Sequence, residues 1–495
     1  MKVHVLIILT GMIISFSSCN DWLNVDAQDT VTEKELFQEG DGFRTALNGV
    51  YKQMADPALY GKEMTWGFLD VLGKVYLRNG FRSHTAYYKV YNSYAYTDAV
   101  VKELIGPIWE KTYTAIANCN NIIGKIEKIE ANKFQDAQAE KDLIKGEALA
   151  LRAFLHFDMA RLFAPAPVVN DNANYIPYYD MYPSTFSPDK PTKEILEHCV
   201  ADLLQAKDLL APYDTLTWRN MLQTKFRIEY GKGDYRINPE PFFQRRGYRM
   251  NYLAICALLA RIYNYMGFYD EERLTYYAKA YEMAHHVSTF KVDTNSSSKG
   301  TLGFTEYYYA STNRKLYDGI IFGLYNKELG NDYEKVHDNT DLKFYIDKSI
   351  YTDNSDIRYE DLTIPSGSRY RVSNKYLPET GDKEDNETLI PMIRLSEMYY
   401  IEAEYLYRKG ATKDAIARMD QVRDARACTI GPEGEMEKNI KDLPSFKTEL
   451  IKEAQRDFMQ EGQAFYFYKR YNKFPSSSMV QKGFVLDKPD SQTIF

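Results

Sequence analysis

Residues that carry chemistry are scarce in this chain: 495 residues include five Cys, seven His and four Trp. HExxH, GxSxG and GxxxxGK[ST] motifs are absent, so the sequence does not indicate a zinc protease, an esterase-type nucleophile or a phosphate-binding loop. No CxxC or Cys/His spacing suggests zinc either. We therefore predict a protein with no catalytic residues, no cofactor and no metal site. Buried free thiols are expected at the four cysteines beyond residue 19, which are Cys119, Cys199, Cys256 and Cys428.

Excess positive charge is also missing. The chain carries 62 Lys and Arg against 69 Asp and Glu, a net charge of −7. This balance argues against a nucleic-acid partner, which would need a surface that neutralises phosphates. With 44% hydrophobic and 26% charged residues, the composition is that of a globular protein with a sizeable core rather than a disordered chain or a coiled coil.

One long apolar run occurs, at the N-terminus. Residues 5–16 follow Lys2 and His4 and are too few to span a bilayer, but they suit the apolar part of a secretory signal. The run ends in Phe16-Ser17-Ser18-Cys19, which is similar to a bacterial lipobox. We predict that residues 1–18 are a lipoprotein signal peptide and that Cys19 is lipidated, which would anchor the mature chain to a membrane. The alternative is ordinary signal cleavage beside an incidental cysteine.

Apolar residues at 3–4 spacing predict several helices. They lie at about residues 108–129, 148–162, 252–266, 276–287, 395–407, 412–427 and 445–460. Short connections such as Lys409-Gly410-Ala411 indicate antiparallel helix hairpins. The predicted fold is mostly α: tetratricopeptide-like helix pairs form a scaffold, and an irregular, loop-rich lobe contains short strands.

Aromatic residues are abundant, at 14% of the chain with 42 Tyr. Many fall in the stretches that interrupt the helix pairs, residues 60–100, 212–247 and 290–390. Binding sites concentrate on loops that a rigid scaffold holds in place. These stretches are therefore the expected location of a site.

Flat rings and a few convergent polar groups are what a sugar needs from a protein in water, because a sugar ring has an apolar face and a hydroxyl edge. The candidate ring platform is Trp66, Tyr87, Tyr91, Tyr94, Tyr96 and Trp218, with Tyr307, Tyr308 and Tyr309 further away. Candidate polar partners are Asp70, Arg78, Asn79 and Asn92. The alternative for each tyrosine is structural packing; Trp22 and Trp109 are expected to be anchor and core.

Carboxylates near the C-terminus could suggest a glycosidase pair, but ion pairing is the preferred interpretation. The residues concerned are Arg394, Glu397, Glu402 and Glu404. His285 and His286 beside Glu282 are interpreted as a solvated helix face rather than a metal site.

Motifs in a fixed order along the chain resemble those of the SusD/RagB family of outer-membrane nutrient-binding lipoproteins. They are Cys19-Asn20-Asp21-Trp22-Leu23, the Gly146 to Phe154 segment GEALALRAF, Met250-Asn251-Tyr252, the Ile393 to Tyr399 segment IRLSEMY, and Glu461-Gly462. Phe467 stands where the family commonly has Asp, which indicates a subgroup.

This resemblance implies a protein that is lipid-anchored in the outer membrane and faces the cell exterior. It would capture a nutrient, usually an oligosaccharide and in some members a peptide, and deliver it unaltered to a TonB-dependent SusC-type transporter. It implies three parts after the signal peptide, residues 19–211, 212–390 and 391–495. The alternatives are a lipid-anchored envelope scaffold or peptide-binding protein and, less favoured, a glycan-acting enzyme.

Overall fold

The computed structural model describes residues 32–169, 171–228, 241–292, 302–378, 387–428, 436–476, 479 and 481–490. The predicted signal peptide, Cys19 and Trp22 lie outside these residues. The α-helices within them are, in chain order, α1 (Glu33–Leu36), α2 (Gly40–Met54), α3 (Phe68–Leu72), α4 (Thr85–Ser93), α5 (Ala99–Ile126), α6 (Ala137–Phe163), α7 (Thr192–Pro212), α8 (Thr224–Arg227), α9 (Tyr252–Met266), α10 (Thr275–Thr289), α11 (Leu329–Asp338), α12 (Ile357–Glu360), α13 (Leu395–Arg408), α14 (Thr412–Asp424), α15 (Met436–Asn439), α16 (Leu443–Asp457) and α17 (Ala464–Arg470).

Polar caps fix where the long helices begin. The Asp98 side chain accepts a hydrogen bond from the Val100 N–H at the start of α5, and Asn251 does the same for Ala254 at the start of α9. Such caps satisfy N–H groups that have no partner within the helix. Asp442 and Ser445 form a reciprocal capping box at the start of α16.

The long helices pack as consecutive pairs, α5 with α6, α6 with α7, α9 with α10 and α13 with α14. This confirms the predicted mostly α fold built from helix pairs. Helix α7 lies outside the ranges given above, and Ile195, Cys199 and Leu203 give it a buried stripe at four-residue spacing. It crosses α6 closely at Gly146, where a Cβ would clash with the Leu210 side chain.

Strands are short and occur in three antiparallel pairs among the described residues. They are β1 (Asn174–Pro177) with β2 (Asp189–Pro191), β3 (Ile320–Tyr325) with β6 (Leu389–Arg394), and β4 (Thr363–Ser366) with β5 (Tyr370–Ser373). Strand β6 runs directly into α13, so its pairing with β3 joins the loop-rich lobe to the helical scaffold.

The largest hydrophobic core draws residues from Phe43 in α2 to Leu486, and a second core forms between α13, α14 and α16 around Phe446. The four cysteines lie buried and free, as expected, and Trp109 is in the core. No helix among the described residues has the length and apolar character to cross a bilayer. The boundaries proposed from the resemblance, at residues 211/212 and 390/391, stay predictions.

Candidate functional site

Trp66 and Asp70, two of the proposed ligand residues, are in the core. Trp66 is 1% exposed; its indole N–H donates to the Gly61 carbonyl at 3.0 Å. Asp70 is fully buried and accepts hydrogen bonds from the backbone N–H groups of Gln460 at 2.6 Å and Gly462 at 3.1 Å. Burial raises the pKa of the Asp70 carboxyl well above its usual value, against these bonds. Both side chains hold the fold together and present nothing to a ligand.

Three tyrosines of the proposed platform are buried as well. The Tyr87 hydroxyl donates to the Glu63 carboxylate, and the Tyr96 hydroxyl donates to the Gly483 carbonyl at 2.7 Å. Tyr94 ends α4 in a left-handed conformation, and the Lys74 ammonium lies 4.8 Å from the centre of its ring. The aromatic composition of residues 60–100 predicts rings at the surface, but much of this segment folds back into the core. The platform prediction is therefore corrected at Trp66, Asp70, Tyr87, Tyr94 and Tyr96.

Trp218 and the tyrosine triplet lie elsewhere. Trp218 is half-buried and stacks between Tyr213 and Phe243, with centroid distances of 5.7 Å and 4.5 Å. The rings at residues 307–309 are more than half exposed and form a surface turn of their own. None of these rings lines the cleft described next.

Arg78, Tyr91 and Asn92 do lie together, on one wall of a cleft of about 700 Å³ that we call the Arg78 cleft. Its other walls come from residues 347–352, from one face of α16, and from residues 468–476. The walls are tied together: the Leu77 N–H donates to the Tyr345 carbonyl at 2.8 Å, and the Arg456 guanidinium donates to the Ile350 carbonyl at 2.6 Å.

Three rings border the Arg78 cleft. Phe474 is 47% exposed, and its ring stacks against Phe484 with a centroid distance of 5.4 Å. Tyr468 and Tyr91 are half-buried in the walls. The Lys74 ammonium lies 3.7 Å from the centre of the Tyr91 ring and donates to the Tyr91 carbonyl, so a cation already engages that ring. Phe474 and Tyr468 therefore offer the ring surface that is most open to a ligand.

Polar groups of both signs face the same space. The exposed Arg78 guanidinium lies 3.5 Å from the Asn92 amide oxygen, a contact at the limit of hydrogen bonding. Asp347 accepts from the Ser349 N–H at 2.9 Å on the facing wall. Burial lowers the pKa of the Lys74 ammonium to about 7, which makes it a group that titrates near neutral pH. A cleft with open rings and a few polar groups suits a ligand that has both apolar faces and hydroxyls.

The suspected glycosidase carboxylates are held in buried ion pairs, as interpreted from the sequence, although their partners come mainly from other elements. Glu397 binds Arg261 at 2.6 Å. Arg394 binds Glu461, and Glu404 binds Arg408 at 2.9 Å. Arg418 and the Ser288 hydroxyl contact Glu402. The cations lower the pKa of the Glu404 carboxyl to about 2 despite its burial, which suits a structural ion pair rather than a proton donor.

Motif residues that carry the family resemblance therefore act mainly in folding. The motif carboxylate Glu461, for example, is buried and binds Lys375 at 2.6 Å and also Arg394. Within the described ranges, no group of three or more His, Cys, Asp or Glu side chains is placed to hold a metal ion.

Comparisons with known proteins agree with this fold and these motifs. The sequence profile described as "Starch-binding associating with outer membrane" matches residues 23–224, and that of the SusD family matches residues 223–488. The two profiles together match nearly the whole chain. The protein is thus a mostly α protein of paired helices with a cleft bordered by loops. It belongs to the SusD family.

Individual relatives are distant. SusD-like protein P38 of Formosa agariphila is 20% identical over 92% of this chain and 89% of its own length, whereas the match to SusD-like protein P2 of the same organism is 22% identical over 40% of this chain and 36% of that protein. A SusD superfamily protein from Bacteroides thetaiotaomicron has a TM-score of 0.65 at 21% identity, covering 92% of this chain and 97% of that one. A SusD-like carbohydrate binding protein from Bacteroides vulgatus has a TM-score of 0.60 at 18% identity, with coverage of 88% and 84%. These structures share the fold.

Sequence reasoning missed the far walls of the Arg78 cleft. Tyr468, Phe474 and Asp347 were not proposed, because more than 250 residues separate them from Arg78 along the chain. A usable signal was present at Phe474, a large ring between Lys473 and Pro475 beyond the end of the last long helix.

Proposed function

We propose that this protein is a cell-surface lipoprotein that captures an oligosaccharide in the Arg78 cleft and delivers it unaltered to a TonB-dependent SusC-type transporter in the outer membrane. The observation that carries the proposal is the cleft itself, where Phe474 and Tyr468 offer ring surface beside Arg78, Asn92 and Asp347. Family membership, the lipobox-like sequence at Cys19 and the likeness to a SusD-like carbohydrate binding protein support it.

The shape of the cleft sets the expected affinity. It is open, and its rings can stack against only one or two sugars at a time, so most of the gain is offset by the cost of immobilising the ligand. We expect dissociation constants of about 10 μM to 1 mM. Weak, reversible binding suits a capture step that must be followed by release.

The test is titration calorimetry of the mature protein against a panel of neutral oligosaccharides. For a glycan that binds, Arg78→Ala and Phe474→Ala should each weaken binding by about tenfold, equivalent to about 1.4 kcal/mol. The matched controls are Arg82→Ala and Phe186→Ala, because both side chains are exposed and lie outside the cleft; Phe186 is 84% exposed. Equal losses in the controls, or no loss at Arg78 and Phe474, would exclude this cleft as the site.

Delivery and anchoring need their own measurement. We expect Cys19→Ser to release the protein from the membrane fraction, and the wild-type protein to co-purify with a barrel transporter from detergent-solubilised outer membranes. A wild-type protein that carries no acyl chain, or that purifies without any barrel, would contradict this part of the proposal.

A further inference from the structure

A second and larger cleft lies away from the Arg78 cleft. It encloses about 1030 Å³ between the C-terminal half of α2, residues 242–249, and the end of β3 with the turn that follows it. We call it the α2 cleft. The two clefts share no lining residue. Nothing in the proposed function uses it.

Rings form part of its lining. Tyr248 and Tyr325 meet edge to face, with centroids 6.1 Å apart and planes at 77°. Tyr325 is 43% exposed, so one side of this corner is open to solvent. Below it, the Arg249 guanidinium lies 4.2 Å from the centre of the Phe242 ring and donates to Glu147 at 2.9 Å. This part of the lining is held in place before any ligand arrives.

The acidic side chains of the α2 cleft already have partners. Asp56 binds Lys111 at 2.6 Å and accepts from the Ala58 N–H at 2.8 Å. Asp332 binds Lys335 at 2.9 Å, and Glu328 accepts from the Asn331 amide at 3.0 Å. Lysines outside the lining thus partly neutralise Asp56 and Asp332, whereas Glu328 keeps its negative charge.

Two lysines that line the same cleft have no such partner among the described residues. Lys52 and Lys327 are exposed, and neither forms an ion pair or a side-chain hydrogen bond with any residue that the structure describes. The described lining thus has five Lys or Arg side chains against three Asp or Glu, in a protein whose net charge is −7. Such local charge attracts anions, and attracts them less at high salt.

We propose that the α2 cleft is a second binding site, which takes a carboxylate-bearing oligosaccharide such as a chain of uronic acids. The Tyr248–Tyr325 corner would contact the sugar faces, and the ammonium groups of Lys52 and Lys327 would meet the carboxylates. The choice of a glycan over an acidic peptide rests on the proposed function, but the site itself is independent of the Arg78 cleft.

Hexagalacturonate is the probe, and its methyl ester is the matched neutral control. By titration calorimetry we expect one hexagalacturonate per protein, with the ester at least about tenfold weaker. The double variant Lys52→Gln/Lys327→Gln should lose about tenfold in affinity, and raising NaCl from about 50 mM to about 500 mM should weaken wild-type binding several-fold. The control double variant Lys413→Gln/Lys438→Gln removes two exposed lysines outside both clefts and should bind as the wild type does.

Several results would overturn the proposal: no binding of hexagalacturonate, equal binding of the ester, or full binding by Lys52→Gln/Lys327→Gln. Hexaglutamate binding as tightly as hexagalacturonate would also overturn it, since the cleft would then recognise charge and not sugar. Loss of binding in Arg78→Ala/Phe474→Ala alone would place the ligand in the Arg78 cleft, so that the second site fails while the proposed function stands. Binding retained in that variant and lost in Lys52→Gln/Lys327→Gln would support the second site whatever the first cleft binds.

Discussion

Replacing Trp66 with Ala tests whether this ring belongs to the core or to a binding surface. The side chain is 1% exposed and contacts Tyr333 and Phe344 edge to face, with centroids at 5.1 Å and 5.6 Å. Truncating a buried Trp or Phe to Ala costs about 3 to 5 kcal/mol. The variant also leaves the Gly61 carbonyl without its indole donor, a penalty of about 1 kcal/mol or more. We expect the free energy of unfolding to fall by about 4 to 6 kcal/mol.

Urea unfolding followed by far-ultraviolet circular dichroism measures this loss. Trp218→Ala is the matched control, because its ring is half-buried and stacked near the surface, so we expect about half the loss or less. A Trp66→Ala variant as stable as the wild type, or less destabilised than Trp218→Ala, would refute the assignment of Trp66 to the core.

Three further predictions concern single groups. Burial lowers the pKa of Lys74 to about 7 in the folded protein, so the unfolded chain binds more protons between about pH 7 and 10. This group therefore makes the free energy of unfolding rise with pH across that range. We expect Lys74→Met to flatten the rise when urea unfolding is measured at several pH values. The Asp420 carboxyl has no hydrogen-bond partner among the described residues, and burial raises its pKa to about 7. Asp420→Asn should therefore stabilise the protein by about 1 kcal/mol at pH 8, and this gain should shrink as the pH falls to about 4. A gain that does not change with pH would contradict this. Gly462 has a φ of +71° and lies against the Met64 carbonyl, so Gly462→Ala should lower the free energy of unfolding by at least about 2 kcal/mol. In α2, a Cβ at Gly49 has open space, so Gly49→Ala should be neutral or stabilising by up to about 1 kcal/mol in thermal unfolding.

The helical scaffold was predictable because the buried face of a helix places apolar residues at 3–4 spacing along the sequence. In α10, the buried residues Tyr277, Ala280, Ala284 and Val287 recur at 3–4 spacing, and Gly410, in the short loop between α13 and α14, has a φ of +89°. Apolar spacing and a glycine stop are local signals, so they can be read without knowing what packs against them.

The Arg78 cleft was predictable only in part, because its walls meet through contacts that are distant in sequence. The composition of residues 60–100 indicated a site in this region, and Arg78, Tyr91 and Asn92 do line a cleft. Composition could not tell an exposed ring from one folded into the core. The buried Tyr87 hydroxyl donates a hydrogen bond to Glu63, which is 24 residues away along the chain, and no local sequence pattern predicts such a partner.

Equilibrium binding with recovery of the ligand tests the central claim most directly. The mature protein is incubated with a neutral oligosaccharide that binds, and the glycan is then released and analysed by mass spectrometry. We expect saturable binding that Arg78→Ala and Phe474→Ala weaken, and a recovered glycan of unchanged mass. A shortened or otherwise altered glycan, or a panel in which no oligosaccharide binds, would contradict it.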